Sequence, residues 1–307
     1  MMNDKNKTKE MSIIDFLTKR FPDEETAVDF FAKKRWGNKI TCPYCGSSKV
    51  YHVKGNQPYK CGNCNFKFTV KTGTIMEGSH IKVRTWLLAM YIMGTTRKGI
   101  SSIQLAKQLG VTQKTAWYMA HRIREACNNY EKMKGIIEVD EAYFGGKEKN
   151  KHHSKKYNKG RGVANKTAVA GLKERNGKFM ARVLKDTSSY TLQGLIQKNV
   201  VPNSAVFTDD FLSYIGLENK GFKHQSVKHS ANEYVDGIAH TNEIESFWAL
   251  LKRGVYGTYH FVSVKHLQRY VNEFCFRANN GNTALSFVDA ICLKANMKNI
   301  KYKELIA

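Results

Sequence analysis

At 307 residues and 42% hydrophobic content, the chain can bury a real core and holds about two domains at the usual rate of roughly 150 residues each. Lys and Arg number 50 against 26 acidic residues, giving a net charge of +24 and a pI near 9.7, so the expected partner is a polyanion. The basic residues are spread along the whole chain rather than on one helix, which favours nucleic acid over the rival reading of a basic membrane binder. No signal-peptide core opens the sequence and the longest apolar stretch, Trp86–Gly94, is too short to span a bilayer, so a cytoplasmic, nucleoid-associated protein is expected.

Residues 1–78 read as two short helices followed by a metal ribbon. Apolar spacing predicts helices over Ile13–Phe21 and Glu25–Trp36, separated by Pro22-Asp23. Cys42-x2-Cys45, fifteen intervening residues and Cys61-x2-Cys64 follow. Each CxxC forms a tight knuckle, and two knuckles across a hairpin close a tetrahedral thiolate site, so these four cysteines are expected to hold a structural Zn²⁺. Cys127, Cys275 and Cys292 stand apart in apolar surroundings, as small core residues do. Lys49, Tyr51, His52, Lys54, Tyr59, Lys60 and Lys67 make the ribbon basic and aromatic, which suits either DNA contact or a solvated face.

Residues 79–130 read as a helical bundle built on a helix-turn-helix. A helix over Val83–Met93 precedes one capped by Ser101 or Ser102; Gly110 supplies a left-handed turn residue, and Thr112 caps the next helix. Ala116, Met119, Ile123 and Cys127 face inward on that second helix. Gln113, Lys114, Trp117, Tyr118, His121 and Arg122 are then expected to face double-stranded DNA, the second helix being the one that enters a major groove.

Residues 131–307 change character. "IIEVDEAYF" reads as a strand, and two more strands flank the turn Asn176-Gly177. A helix over Ser188–Lys198, a strand "AVFTDDF", a further strand "FKHQSV" and the helix "TNEIESFWALLKRG" complete the order of an RNase H-like α/β domain with a mixed sheet, in a chain that is α+β and multidomain overall. That order brings acids from the first strand, the fourth strand and the late helix to one sheet edge: Asp140, Asp209 and Glu245. Carboxylates without thiols or histidines suit a pair of hard divalent ions, Mg²⁺ or Mn²⁺. Asp210 competes with Asp209 for the second position. Strand alternation sets Glu138 and Asp140 on one face and turns Glu141 away. Lys252 is seven residues past Glu245, nearly two helical turns, and faces the same way. The apolar-poor segment 147–166, with Lys155 and Lys156, reads as a basic loop that clamps DNA phosphates.

These blocks resemble the DDE transposases of bacterial insertion sequences, in the group with an N-terminal zinc ribbon that is related to Merlin elements. The resemblance rests on "CPYCG", "VDEAYFGG", "VFTDDFLSY", "VKHSANEYV" and above all "HTNEIESFWALLKRGVYGTYH". It implies metal-ligand roles for Asp140, Asp209 and Glu245, with Asn242 an alternative third ligand, and a DNA contact near the cut for Lys252. It further implies an enzyme that binds terminal inverted repeats, frees 3′-hydroxyl ends and transfers them to target DNA by two-metal phosphoryl transfer. Such an enzyme works as a homo-oligomer on DNA and needs no nucleotide cofactor; the chain has no GxxxxGK[ST] loop. The alternative is a non-catalytic zinc-ribbon and helix-turn-helix regulator, and a structure-selective nuclease is a third reading.

Overall fold

The computed structural model describes residues 10–128, 131–146, 152, 154, 166–227, 242–281, 283–294, 296 and 300–306. It divides into two compact units, Met1–Cys127 with Asn280–Ala307, and Asn128–Asn279. The sequence reading ran the last domain on to residue 307; the segment from Asn280 belongs instead with the first unit. Among the described residues, no helix is long and apolar enough to cross a membrane.

In the first unit, α1 (Ile13–Asp15) runs into a π-helical turn, Phe16–Arg20, and α2 (Glu24–Trp36) starts at Asp23, whose carboxylate accepts from Thr26 N at 2.8 Å. Three short antiparallel strands, β1 (Val50–His52), β2 (Tyr59–Cys61) and β3 (Lys67–Phe68), form the ribbon. Trp36 closes one side of it with ring centroids 5.6 Å from Tyr59 and 6.2 Å from Phe68. Helices α3 (Val83–Thr95), α4 (Ser102–Leu109) and α5 (Gln113–Ala126) follow. Glu24 of α2 accepts from the N–H groups of Val83 and Arg84 at 2.7 and 3.0 Å, setting an anion at the positive end of α3. Ser101 and Thr112 cap α4 and α5, and Gly110 between them is left-handed at φ 66°.

The last two helices, α9 (Ala284–Lys294) and α10 (Tyr302–Ile306), complete the first unit. A Cβ at Gly94 would lie 3.1 Å from the Phe287 side chain and 3.3 Å from the Ala284 backbone, so the absence of a side chain there lets α9 press onto α3.

In the second unit, β4 (Ile136–Phe144), β5 (Thr167–Glu174), β6 (Phe179–Val183), β7 (Ala205–Asp209) and β8 (Lys223–Val227) form one sheet in the order β6-β5-β4-β7-β8. The first three run antiparallel, and β4, β7 and β8 run parallel. The predicted Asn176-Gly177 turn joins β5 to β6, with Asn176 left-handed at φ 57°. One face buries Ile137, Val139, Leu172 and Val206 against Leu192 and Ile196 of α6 (Ser189–Asn199). The other buries Ala142, Val169, Phe179 and Ala181 against Trp248 and Leu251 of α7 (Asn242–Arg253) and Val271 and Phe274 of α8 (Val264–Asn280). This is the mixed sheet with helices on both faces that the element order predicts.

Candidate active site

The parallel pairing of β4 with β7 covers Ile136–Ala205, Ile137–Val206 and Glu138–Phe207 and then stops. Two residues further on, Asp140 and Asp209 stand level with each other where the ladder has ended, on the α7 face of the sheet. Glu141 belongs to the opposite face, yet one carboxylate oxygen from each of Asp140, Glu141 and Asp209 falls within 4.8 Å of the others. Alternation describes the backbone correctly but not where a Glu side chain ends. β5 still pairs with Glu141, opposite Ala170, but the β7 ladder on the other side has ended, and the Glu141 carboxylate joins the group there, so the expectation that it points away from the site is corrected. Asp210 is exposed and outside this group.

Each carboxylate is held. Asp140 accepts from Glu141 N at 2.8 Å and from the indole N–H of Trp248 at 3.0 Å. Asp209 accepts from Phe211 N at 3.2 Å, and the Tyr214 hydroxyl donates to Glu141. Burial pushes Asp140 up to about 6, helped by the charges of Asp209 and Glu245. Burial likewise pushes Glu141 up to about 8, with Asp209 and Asp140 adding to it. The charges that move both groups are negative, so ionising the site calls for an added cation. All-oxygen donors of this kind fit a hard divalent ion and not a soft one.

Glu245 is exposed on α7, one turn before Trp248, and lies outside the 4.8 Å group while its charge still acts on Asp140. Asn242 opens the same helix, and Lys252 is exposed in its last turn. Glu243 forms a surface pair with Lys173 at 3.2 Å. Glu138, fully buried, pairs with Arg175 at 3.2 Å and has a structural role.

Sequence reading missed the Trp248–Gly171 contact. Gly171 of β5 sits opposite Asp140, and a Cβ there would come within 2.7 Å of the Trp248 ring. The bare backbone lets the indole lie across the strand and aim its N–H at Asp140. A glycine inside a strand pattern was the available signal, since such positions often mark close approach. Gly171→Ala is expected to cost about 1–3 kcal/mol through overpacking, read as a lower melting midpoint, and to move Trp248 fluorescence.

Raised carboxylate pKa values set a pH dependence. A group whose folded pKa lies above its unfolded value stabilises fully below the unfolded pKa and loses that contribution as pH rises through the folded one. For Asp140 that window runs from about 4 to 6, and for Glu141 from about 4.5 to 8. With the ribbon zinc retained and no Mg²⁺ or Mn²⁺ added, the second unit should therefore melt lower at pH 8.5 than at pH 5, by on the order of 5 °C. Added Mn²⁺ should restore more stability at the higher pH, and Glu141→Gln should flatten the trend. A midpoint independent of both pH and Mn²⁺ would contradict the arrangement.

In the ribbon, the Sγ atoms of Cys42, Cys45, Cys61 and Cys64 also gather within 4.8 Å. The pairs Cys42–Cys64 and Cys45–Cys61 are each 3.6 Å apart, close to the ~3.8 Å edge of a tetrahedron with ~2.3 Å metal–sulfur bonds. The backbone N–H of Cys64, then that of Asn63, pulls the Cys61 thiol down to about 6. This is the donor set of a closed structural zinc site, as the cysteine spacing predicts.

On the helix-turn-helix, Gln113 and Lys114 are exposed, and Gln113 donates to Ser102 Oγ at 2.8 Å. Trp117 and Tyr118 are half-buried. His121 and Arg122, expected to face DNA, are instead 0% and 3% exposed. Arg122 donates to the Glu77 carbonyl and lies over the rings of Trp86 and Tyr118 at 5.4 and 5.1 Å. The spacing rule assumed one buried face, whereas the second half of α5 is packed on several sides. Lys155 and Lys156, with nearly all of the basic stretch, fall outside the described residues, as does the block "KHSANEYVDGIAHT".

Comparison with known proteins converges on the same elements. The family profile described as "ISXO2-like transposase domain" matches residues 132–279, and the "Transposase zinc-ribbon domain" profile matches residues 22–66. An uncharacterized protein in transposable element ISH50 of Halobacterium salinarum is 29% identical over 273 residues, 84% of this chain and 92% of that protein. An uncharacterized transposase-like protein of Haemophilus influenzae is 32% identical over 98 residues, 32% of this chain and 78% of that one. Among solved structures, a Mos1 transposase paired-end complex with left transposon end matches at 12% identity and TM-score 0.32, over 66% of this chain and 75% of that one. The Mos1 strand transfer complex matches at 13% and 0.30, with the same coverage. A purely regulatory role is not favoured by a catalytic-domain match that spans the acidic edge. The chain belongs to the ISXO2-like DDE transposases, with the zinc-ribbon domain and the catalytic domain both present.

Proposed function

We propose that this DDE transposase binds the terminal inverted repeats of its own element, hydrolyses a strand at each end to free a 3′-hydroxyl, and joins that hydroxyl to target DNA. The gathered carboxylates of Asp140, Glu141 and Asp209, the first two raised by burial and neighbouring negative charge, carry the reading. Asp140, Asp209 and Glu245 would hold Mg²⁺ or Mn²⁺, with Asn242 the alternative to Glu245. When bound, the ions supply Lewis-acid chemistry, lowering the pKa of the attacking water and stabilising the leaving oxygen.

The chain's own residues prepare this site. Trp248 fixes the orientation of the Asp140 carboxylate, and Tyr214 does the same for Glu141. Lys252, exposed on the same helix as Glu245, contacts a phosphate near the cut. Cleavage and joining are both in-line displacements at phosphorus, so one site serves for water and then for the 3′-hydroxyl. Joining two ends requires at least two protomers.

Strand cleavage by the zinc-loaded protein on duplexes with and without the terminal repeats, with and without added Mg²⁺, tests the reading. Cleavage restricted to repeat-bearing DNA and to Mg²⁺ is expected. Equal cleavage of both duplexes points to a structure-selective nuclease, and binding without cleavage points to the regulator.

A further inference from the structure

The face of α5 expected to meet DNA is shared with the end of the chain. Tyr118 Oη donates to the Ile300 carbonyl at 2.7 Å. The Tyr302 ring lies 5.6 Å from Tyr118 and 6.5 Å from Trp117, centroid to centroid, and Lys114 Nζ sits 4.6 Å from its centre. Leu305 is 1% exposed, and the Glu304 carboxylate accepts from Lys301 N at 3.2 Å, capping α10. Apolar and aromatic contacts thus anchor α10, while Lys301 and Lys303, on either side of the Tyr302 that Lys114 covers, stay exposed.

Such a segment is either a plug that DNA must displace or an added part of the DNA-binding surface. Its charge decides between them. A plug that takes the place of the phosphate backbone needs negative charge. The docked segment 300–306 carries Lys301 and Lys303 against Glu304, a net +1, and Glu304 is tied back to Lys301 N, so this segment adds positive rather than negative charge to the face it covers.

We infer that α10 is a second DNA-contacting element: Lys301 and Lys303 extend the surface begun by Gln113 and Lys114, and Tyr302 fixes their position. Partial burial of Trp117 and Tyr118 then follows from their role as the platform for this addition. The inference rests on the reading that α5 meets DNA, and it names residues for which neither composition nor helical spacing gave a signal.

The test is binding of the full zinc-loaded chain to a mixed-sequence DNA duplex with no Mg²⁺ or Mn²⁺ added, across a salt series, where cleavage plays no part. Lys301→Ala/Lys303→Ala should weaken binding roughly tenfold at low salt and reduce the slope of log K against log salt by about 1.8, since each phosphate contact accounts for about 0.9. Its melting midpoint should not move, because both side chains are exposed. Tyr302→Ala should reproduce part of the loss. Tighter binding by the double variant would identify a plug and overturn the inference. Unchanged affinity and slope, with Lys114→Ala still weakened, would reduce α10 to a brace and overturn it alone. Unchanged binding in Lys114→Ala as well would overturn the α5 reading too, without touching the catalytic proposal.

Discussion

Asp140→Asn is expected to abolish strand cleavage and joining, by at least ~10³-fold or about 4 kcal/mol of barrier, while leaving the metal-free protein no less stable than the parent. The two halves of that result have one cause. Asp140 is half-buried beside Asp209 and Glu141, and its pKa is pushed up to about 6 because ionising it there is unfavourable. An amide keeps the size and can still accept the Trp248 N–H, but removes the charge that would grip a cation. Activity and stability should therefore move in opposite directions. Glu138→Gln supplies the contrast, since it lies two residues away on the same strand but is fully buried against Arg175. Removing the charge of this buried 3.2 Å ion pair should cost a few kcal/mol, with any loss of turnover following the loss of fold. Circular dichroism melts paired with an oligonucleotide cleavage assay separate the two cases. An Asp140→Asn protein that still cleaves would falsify the assignment of the acidic edge.

The second large effect concerns the ribbon. Cys61→Ser, or prolonged chelation, should unfold the segment 40–70 and with it abolish tight DNA binding. Structural zinc contributes ~10–16 kcal/mol in small zinc domains, and the hydrophobic cluster here is small: Cys42, Tyr59, Cys61 and Phe68 are buried, with Trp36, Ile40 and Val50 packed around them. So little apolar surface cannot hold three strands of two and three residues without the metal. Elemental analysis should give one zinc per chain, absent in the variant. The second unit has its own cores and should melt as before. Loss of zinc without loss of the ribbon's amide protection would contradict a structural role.

How much was legible beforehand depended on the range of the interactions. Chain-local features could be read directly: the two CxxC knuckles, the Ser101 and Thr112 caps, the Gly110 turn, the Asn176-Gly177 hairpin and every strand of the sheet. Each of these is set by contacts within a few residues. The pairing of Asp140 with Asp209 was also legible, because strand order alone brings the ends of two adjacent parallel strands together.

Other features depended on partners distant in sequence. Helical spacing on α5 marked one inner face but could not show that the segment around Glu77 and α10 close over other sides of the same helix, so His121 and Arg122 were assigned to the surface. Strand alternation could not show that β7 leaves β4 after Glu138, which opens the gap that Glu141 enters. Nothing in the order of elements indicated that the chain returns to its first unit after Asn279.

By itself the sequence determined the paired cysteine knuckles, the helix-turn-helix elements and the elements that carry the acids, since short-range chemistry specifies caps, turns, knuckles and periodicity. Only the tertiary structure decided which carboxylates gather, that Gly171 admits Trp248 to Asp140, and that the segment leading into α10 packs on Lys114, Trp117 and Tyr118 of α5. Those depend on where strands end and on how closely distant backbones approach, and residue spacing along a chain encodes neither.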